Sequence, residues 1–219
     1  MSALFVAGAH TDVGKTWAAC ALLRAARAKG ATAEAFKPVV SGFDPDDWAE
    51  SDPGRLIAAL GLDPTPAALD AISPWRYRAP LSPPMAARLE GRTLRLEDFV
   101  GFCRAGLAAS SADFRLVEGV GGVMSPVAEA ATCLDLMSAL RLPVVLVGGG
   151  YLGAISHTLT ACEVVRHRGL ELRAVVVSQD ADPTAPSFED TVASVAEFVG
   201  GAPVMAARRH DESWADALV

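Results

Sequence analysis

The chain has 219 residues, of which 51% are hydrophobic and 21% are charged, so it is long enough to bury one sizeable core. Its formal net charge is −7, from 19 basic and 26 acidic residues, and the sequence contains no basic cluster. This balance argues against nucleic acid as a partner and favours a small molecule.

The cysteines and the apolar runs indicate where such a protein would function. The four cysteines are scattered without a close pair, and their apolar surroundings predict reduced core thiols rather than disulfides or a zinc site. The longest apolar run, 142–155, is shorter than a membrane span and is interrupted by glycines. The first residues lack the basic segment of a secretory leader. We therefore expect a cytoplasmic protein with no membrane partner.

A predicted strand at 4–7 runs into Gly8-Ala9-His10-Thr11-Asp12-Val13-Gly14-Lys15-Thr16 and then into an amphipathic helix. This order of strand, loop and helix is typical of a phosphate-binding loop, here one residue longer than the usual pattern. Gly14 lets the backbone approach a phosphate, Lys15 neutralises the β and γ oxygens, and the Thr16 hydroxyl is a ligand for Mg²⁺. The loop predicts that the chain uses ATP or GTP.

The rest of the chain alternates short apolar runs with helical patterns. This alternation predicts an α/β fold of the P-loop NTPase type, with a parallel sheet covered by helices on both faces, in a single domain. Segment 43–94 is long for a connection and rich in proline, so we expect an insertion near the active site. Strands are predicted at 4–7, 33–40, 116–117, 144–147, 174–177 and 204–206, and helices at 16–29, 54–60, 96–109, 133–140, 154–168 and 188–199.

Ligands of parallel sheets bind at the carboxyl ends of the strands, which makes the residues after each strand candidates for the site. Lys37 is one of three lysines beside 16 arginines, and a compact ammonium differs chemically from a guanidinium. Glu118 ends a strand beside the phosphate loop, where a nucleotide-bound Mg²⁺ needs an oxygen ligand. The other strand-end candidates are Ser41-Gly42, Gly119 to Gly122, Gly148 to Gly150 and Gln179-Asp180.

Two of the candidates remain open from the pattern alone. Asp52 lies among several acidic residues and is either a magnesium ligand or the N-terminal cap of the helix predicted at 54–60. Ser41 either donates to a substrate anion or shapes the turn with Gly42. No catalytic histidine is indicated by the spacing of His157, His167 and His210.

Three motifs together resemble the dethiobiotin synthetase family: the lengthened phosphate loop at 8–16, Phe36-Lys37-Pro38-Val39-Val40-Ser41-Gly42, and Val117-Glu118-Gly119-Val120-Gly121-Gly122. The likeness extends to Ser51-Asp52, Leu81-Ser82-Pro83 and 152–157, so it spans roughly residues 1–180. In combination these motifs are far more specific than a phosphate loop alone.

This resemblance implies an ATP- and Mg²⁺-dependent ring closure that converts 7,8-diaminononanoate and CO₂ to dethiobiotin in biotin biosynthesis. In the family, an amine forms a carbamate, the γ-phosphate is transferred to it, and the second amine displaces phosphate. Negative charge builds on the carbamate and on the migrating phosphoryl group, and Lys37 and Lys15 would be the catalytic residues that neutralise it.

The resemblance also implies the other binding residues. Mg²⁺ would be held by Thr16, Asp52 and Glu118. ATP would be bound by Asp12, Val13, Gly14, Lys15, Thr16, Trp17, Asp52, Glu118, Gly119, Val120, Gly121, Gln179 and Asp180. The substrate would be bound by Thr11, Asp12, Ser41, Gly150, Leu152, Gly153 and Ser156. The family is a homodimer, and the turn at 150–157 would meet the substrate carboxylate of the neighbouring subunit.

Three positions depart from the family pattern. Ser156 stands where the family commonly has asparagine, and Gln179 replaces an asparagine that usually recognises adenine. The last nucleotide-binding segment of the family is not recognisable at 206–211. ATP is the expected nucleotide, but these departures affect the base contacts rather than the phosphate contacts.

Two other functions are compatible with a phosphate loop in this fold. A partner-regulated ATPase of the partitioning or septum-positioning type would carry a second lysine early in the loop, and residues 7–12 contain none. A small-molecule kinase would use Lys37 and Glu118 equally well, but it would leave phosphate on its substrate. The products of the reaction distinguish these alternatives.

Overall fold

The computed structural model describes residues 2–219. Its strands are β1 (Ser2–Gly8), β2 (Ala33–Phe36), β3 (Val39–Ser41), β4 (Trp75–Tyr77), β5 (Phe114–Glu118), β6 (Pro126–Ala128), β7 (Ala131–Thr132), β8 (Val144–Gly148), β9 (Leu172–Ser178) and β10 (Val204–Ala207). Its α-helices are α1 (Lys15–Ala28), α2 (Asp52–Leu60), α3 (Pro66–Ile72), α4 (Pro83–Leu89), α5 (Leu96–Ala109), α6 (Cys133–Leu140), α7 (Ala154–His167) and α8 (Phe188–Phe198). Short 3-10 helices lie at Trp48–Glu50 and Ser213–Ala217.

Six strands form a central sheet in the order β10-β9-β8-β1-β5-β2, and every neighbouring pair is parallel. Alternate residues of β1 point to opposite faces, as a strand requires. Phe5 and Ala7 pack in the apolar cluster that contains residues of α5 to α8, whereas Leu4 and Val6 pack in the cluster with α1 to α3. The sheet is therefore covered by helices on both faces, and the predicted α/β fold is confirmed.

The central strands bring the predicted site together. β1 lies between β5 and β8, so the phosphate loop after β1 is flanked by the residues that follow those two strands. The predicted helices at 96–109 and 133–140 coincide with α5 and α6, because both segments have clear apolar periodicity.

The prediction of one strand over 33–40 is wrong. β2 pairs with β5 in the central sheet, whereas β3 pairs with β4 in a separate two-stranded parallel sheet. The break falls at Lys37-Pro38, because Pro38 has no N–H for a ladder and the Lys37 N–H donates to the Ile72 carbonyl at 2.9 Å. The chain thus leaves the sheet where β2 ends and carries the Lys37 side chain into the site.

The segment 43–94 contains more regular structure than the sequence indicated. Helix α2 begins at Asp52 with Ser51 as its N-cap, and the Ser51 hydroxyl accepts from the Gly54 N–H at 3.4 Å. The alternative in which Asp52 caps this helix is therefore wrong. Helices α3 and α4 were not predicted, because each begins with proline, which is tolerated in a first helical turn but also marks loops.

The four cysteines are buried and free, as predicted (Cys20, Cys103, Cys133 and Cys162). Burial raises the pKa of the Cys20 and Cys103 thiols to about 12 and that of the Cys133 and Cys162 thiols to about 11. They are core side chains with little thiolate character. Within residues 2–219, the structure contains no helix that is both long and apolar enough to cross a membrane.

Candidate active site

The loop between β1 and α1 is folded for close contact with an anion. Gly14 has φ 88° and precedes the first turn of α1, whose free amides face outward from the helix end. A Cβ on Gly8 would lie 2.8 Å from both the His10 carbonyl oxygen and Lys15 Cδ, so the loop packs tightly over this glycine. The strand, the turn and the helix together form the predicted phosphate-binding loop.

Lys15 is buried inside this loop, where its Nζ donates to the His10 carbonyl at 3.4 Å. Burial lowers the pKa of Lys15, and the neighbouring Lys37 charge lowers it further. A phosphate group beside Lys15 would favour its charged form, because an opposite charge offsets the desolvation cost. The position suits a lysine that binds phosphate oxygens.

Lys37 is the centre of the polar cluster beside the loop. Its Nζ donates to Glu118 Oε1 at 2.7 Å, to the Gly119 carbonyl at 3.3 Å, and lies 2.9 Å from Asp52 Oδ2. The Lys37 side chain is only 1% exposed and that of Glu118 is fully buried, whereas the Asp52 side chain remains 43% exposed. Two carboxylates from distant parts of the chain therefore share one buried ammonium.

The charges of this cluster stabilise one another. Burial alone would lower the pKa of Lys37, but the carboxylates of Asp52 and Glu118 outweigh it and hold the pKa above the ordinary lysine value. Burial raises the pKa of Glu118, and Lys37 offsets this only in part. For Asp52 the charge of Lys37 outweighs burial and lowers the pKa. With both carboxylates ionised, the three side chains carry a net charge of −1.

The same cluster has the donor set of a magnesium site. Thr16 Oγ1 donates to Glu118 Oε1 at 2.7 Å, which places a hydroxyl, a buried carboxylate and a partly exposed carboxylate side by side. Glu118 Oε2 is buried without a hydrogen-bond partner in the structure, and an unpaired buried carboxylate oxygen is costly. Hydroxyl and carboxylate oxygens are the ligands that Mg²⁺ prefers. Thr16, Asp52 and Glu118 therefore fit this ion.

Two cavities are lined by different parts of the phosphate loop. The first has a volume of about 430 Å³, and the second has a volume of about 450 Å³. Asp12, which has φ 57°, lines the first cavity, whereas the preceding Thr11 lines the second. The predicted residues in the walls of the first cavity are Asp12, Val13, Gly14, Trp17, Gly150, Gln179 and Asp180.

The predicted substrate residues are not all gathered in one place. Ser41 is half-buried at the end of β3, and Gly150 lines the first cavity. The turn before α7 instead faces outward: Leu152 is 87% exposed, Gly153 is the N-cap of α7 with φ 96°, and Ser156 is exposed. Leu152, Gly153 and Ser156 line neither cavity of this chain.

The glycine-containing segment after β5 lies beneath the loop. The Gly119 N–H donates to the Val6 carbonyl at 3.0 Å, and Gly121 has φ 63°. Val120 is half-buried between them and lines neither cavity. The segment positions Glu118, and its Gly119 carbonyl binds the Lys37 ammonium.

Sequence analysis missed two parts of the cavity walls. Arg209 and His210 follow β10 and line the first cavity, where the Arg209 N–H donates to Gln179 Oε1 at 3.0 Å. Both residues follow the predicted sixth strand, so the principle that ligands bind at the carboxyl ends of parallel strands would have identified them.

His10 and His157 meet in the second cavity, with ring centroids 5.5 Å apart. Their distance along the chain leaves no sequence signal for this pair.

The buried ion pair predicts a specific pattern of stability. We expect Lys37→Met to lower the free energy of unfolding of the ligand-free protein by about 3–5 kcal/mol, because it leaves buried Glu118 uncompensated. The double variant Lys37→Met, Glu118→Gln should regain part of this loss, since the buried charge is removed. Urea unfolding measures both values.

The exposed pair Arg88–Glu129 is the control for this measurement, because its side chains are 55% and 45% exposed. Arg88→Met should cost less than about 1 kcal/mol. A similar cost for Arg88→Met and Lys37→Met would contradict the structural role assigned to the buried ammonium.

Comparison with solved structures agrees with this fold. A chain of the MinC:MinD cell division protein complex of Aquifex aeolicus superimposes with a TM-score of 0.57 at 11% identity, covering 99% of this chain and 86% of that one. The signal recognition particle receptor FtsY of Elizabethkingia anophelis gives a TM-score of 0.50 at 16% identity, covering 98% and 60%. At such low identity the likeness concerns the fold alone.

Comparison by sequence finds relatives with much higher identity than these structures. A family model described as an AAA domain matches residues 2–209. Proteins named ATP-dependent dethiobiotin synthetase BioD from Phenylobacterium zucineum and Caulobacter vibrioides are 58% and 53% identical over all of this chain and over 94% and 98% of their own lengths. One from Methylobacterium nodulans is 49% identical over 95% of this chain and 94% of its own. This similarity confirms the resemblance carried by the three motifs, and the chain belongs to the family of ATP-dependent dethiobiotin synthetases.

Proposed function

We propose that this chain converts 7,8-diaminononanoate, CO₂ and ATP to dethiobiotin, ADP and phosphate, as a cyclo-ligase of biotin biosynthesis. The names of the relatives support this activity. Within the structure, the strongest support is the buried Lys37 ammonium held between Glu118 and Asp52 beside the phosphate loop. The two carboxylates fix the position of the Lys37 ammonium, which would face the carbamate and the phosphoryl group.

ATP would occupy the first cavity and the loop together. The base and ribose would lie between Trp17 and the segment Gln179-Asp180, and the phosphates would lie on the amides of the α1 N-terminus. Lys15 would neutralise the β and γ oxygens. Thr16, Asp52 and Glu118 would hold Mg²⁺, which would supply positive charge that offsets the charge of the phosphates.

The diamine substrate would occupy the second cavity, on the other side of the loop. Thr11 lines this cavity and Ser41 ends β3, so their hydroxyls would orient the carbamate while Lys37 neutralises it. The γ-phosphoryl group would pass from ATP to a carbamate oxygen, leaving ADP, with Lys15 and Lys37 as the nearby ammonium groups. Because charge is largest during this transfer, fixed ammonium groups lower the barrier more than they strengthen substrate binding.

A homodimer would complete the substrate site. The exposed turn around Leu152 and the N-terminus of α7, capped by Gly153, offer amides that line no cavity of their own chain. In a dimer, these amides and Ser156 would bind the substrate carboxylate of the neighbouring subunit. We further propose a cytoplasmic location and small-molecule partners, with neither nucleic acid nor a membrane as partner.

The central test is a product assay with purified protein, MgATP and labelled bicarbonate, with and without 7,8-diaminononanoate. We expect ADP release that depends on the diamine, free phosphate, and label in an acid-stable product in equal amount to ADP. Phosphate retained on an organic product would indicate a kinase. ADP release that requires a protein or DNA but not the diamine would indicate a partner-regulated ATPase.

The role of Lys37 is tested by Lys37→Met. If its charge acts mainly in phosphoryl transfer, kcat should fall about 10²-fold or more, whereas the KM for ATP should change little. Steady-state kinetics of ADP release, on protein shown to be folded by circular dichroism, measure both. Near-normal kcat would remove Lys37 from the catalytic residues.

The role of Glu118 is tested by Glu118→Gln, which keeps the size of the side chain and removes one ligand charge. We expect the Mg²⁺ concentration for half-maximal activity to rise, because a neutral amide binds a hard dication less strongly than a carboxylate. Glu129→Gln, at an exposed pair away from the site, is the matched control. An unchanged Mg²⁺ titration would contradict the assignment of Glu118.

A further inference from the structure

We propose that His10 is a catalytic residue whose Nε2 accepts the proton of the substrate ammonium, so that the neutral amine can react with CO₂. This inference rests on the proposed function and assigns the acceptor of a proton that the reaction must release. The geometry of three aromatic side chains carries it: His10 and His157 line the second cavity, and Tyr151, in the wall of the first cavity, contacts both.

The tautomer of His10 follows from its own hydrogen bond. His10 Nδ1 lies 2.9 Å from the Thr11 carbonyl oxygen, which can only accept, so Nδ1 carries the hydrogen. In the neutral imidazole the free lone pair is then on Nε2. Since His10 is exposed and lines the second cavity, this basic nitrogen is accessible to a molecule bound there.

A second histidine holds the His10 ring in place. The His157 ring stacks on it with an interplanar angle of 11°, and the Tyr151 hydroxyl shares a 2.7 Å hydrogen bond with His157 Nδ1. Tyr151 and His157 belong to the turn before α7 and to α7 itself, whereas His10 belongs to the phosphate loop. His157 is therefore a positioning residue, which orients the base through ring stacking.

The carboxylates of the site are already engaged elsewhere. Glu118 and Asp52 are bound to the Lys37 ammonium, and Asp12 lines the first cavity rather than the second. The ionisable groups that contact or neighbour His10 are Lys15, whose Nζ donates to the His10 carbonyl, and the pair His157 and Tyr151. The opposite wall at 122–126 consists of uncharged side chains.

The proton balance makes an acceptor necessary. An ammonium nitrogen has no lone pair, so the nitrogen that attacks CO₂ must first be without its ammonium proton, and it loses a further proton when the carbamate forms. His10 Nε2 takes one proton and becomes imidazolium, and the amine lone pair forms the C–N bond to CO₂ while a C=O π pair moves to oxygen. Water takes the second nitrogen proton to give the carbamate, and the imidazolium returns its proton to solvent.

The test compares His10→Asn with the wild-type protein in diamine-dependent ADP release between pH 6.5 and about 9. We expect kcat/KM for the diamine to fall about 10²-fold at pH 7, with the KM for ATP within about twofold of wild type. The deficit should shrink as the pH rises, because solution then supplies the neutral amine. His157→Asn should lower kcat/KM for the diamine by a smaller factor, and this deficit should also shrink as the pH rises.

Two further measurements separate a base from a structural residue. Added imidazole should restore activity to His10→Ala, since it supplies the missing base, and should not change the wild-type rate. His167→Asn, at the exposed end of α7, is the control for loss of a histidine and should behave as wild type.

Different results would overturn the catalytic role of His10 and the proposed function. A loss in His10→Asn that is equal at every pH, or no rescue by imidazole, would overturn the catalytic role, as would unchanged kinetics. These outcomes require an active wild-type enzyme. Wild-type protein without diamine-dependent ADP release would instead overturn the proposed function, and this inference with it.

Discussion

The Lys37 ammonium and the two carboxylates around it are the interaction on which the rest of the site depends. Lys37 follows β2, Glu118 ends β5, and Asp52 begins α2, so one buried cation joins the edge strand, its neighbour in the sheet and the segment 43–94. A buried charge is tolerated only when it is paired. The folding of 43–94 is therefore coupled to formation of this buried charge cluster.

The phosphate loop separates two environments. One side opens to a cavity lined by Trp17 and the residues after β9 and β10, and the other opens to a cavity lined by the two stacked histidines. Thr11 and Asp12 are adjacent in sequence but line different cavities, and the chain has a positive φ at Asp12. One short loop therefore contributes residues to two separate cavities.

Specific sequence signals account for the correct predictions and the errors. The periodicity of α5 and α6 and the apolar runs of the central strands gave these elements closely, since each depends on local pattern. The error at 33–40 arose because the apolar residues on both sides of Lys37-Pro38 suggest one strand, whereas the chain changes sheet at Pro38. Helices α3 and α4 were missed because prolines at their first turns resemble loop signals.

The sequence by itself determined the phosphate loop, the parallel α/β fold, and Lys37 and Glu118 as candidates, because each depends on residue type at short spacing or at a strand end. Tertiary structure decided which candidates meet: it placed Asp52 beside Lys37, buried Glu118 Oε2 without a hydrogen-bond partner, and stacked His10 on His157. These contacts join residues far apart in the chain, so no local pattern encodes them, and the order of strands in the sheet brings them together.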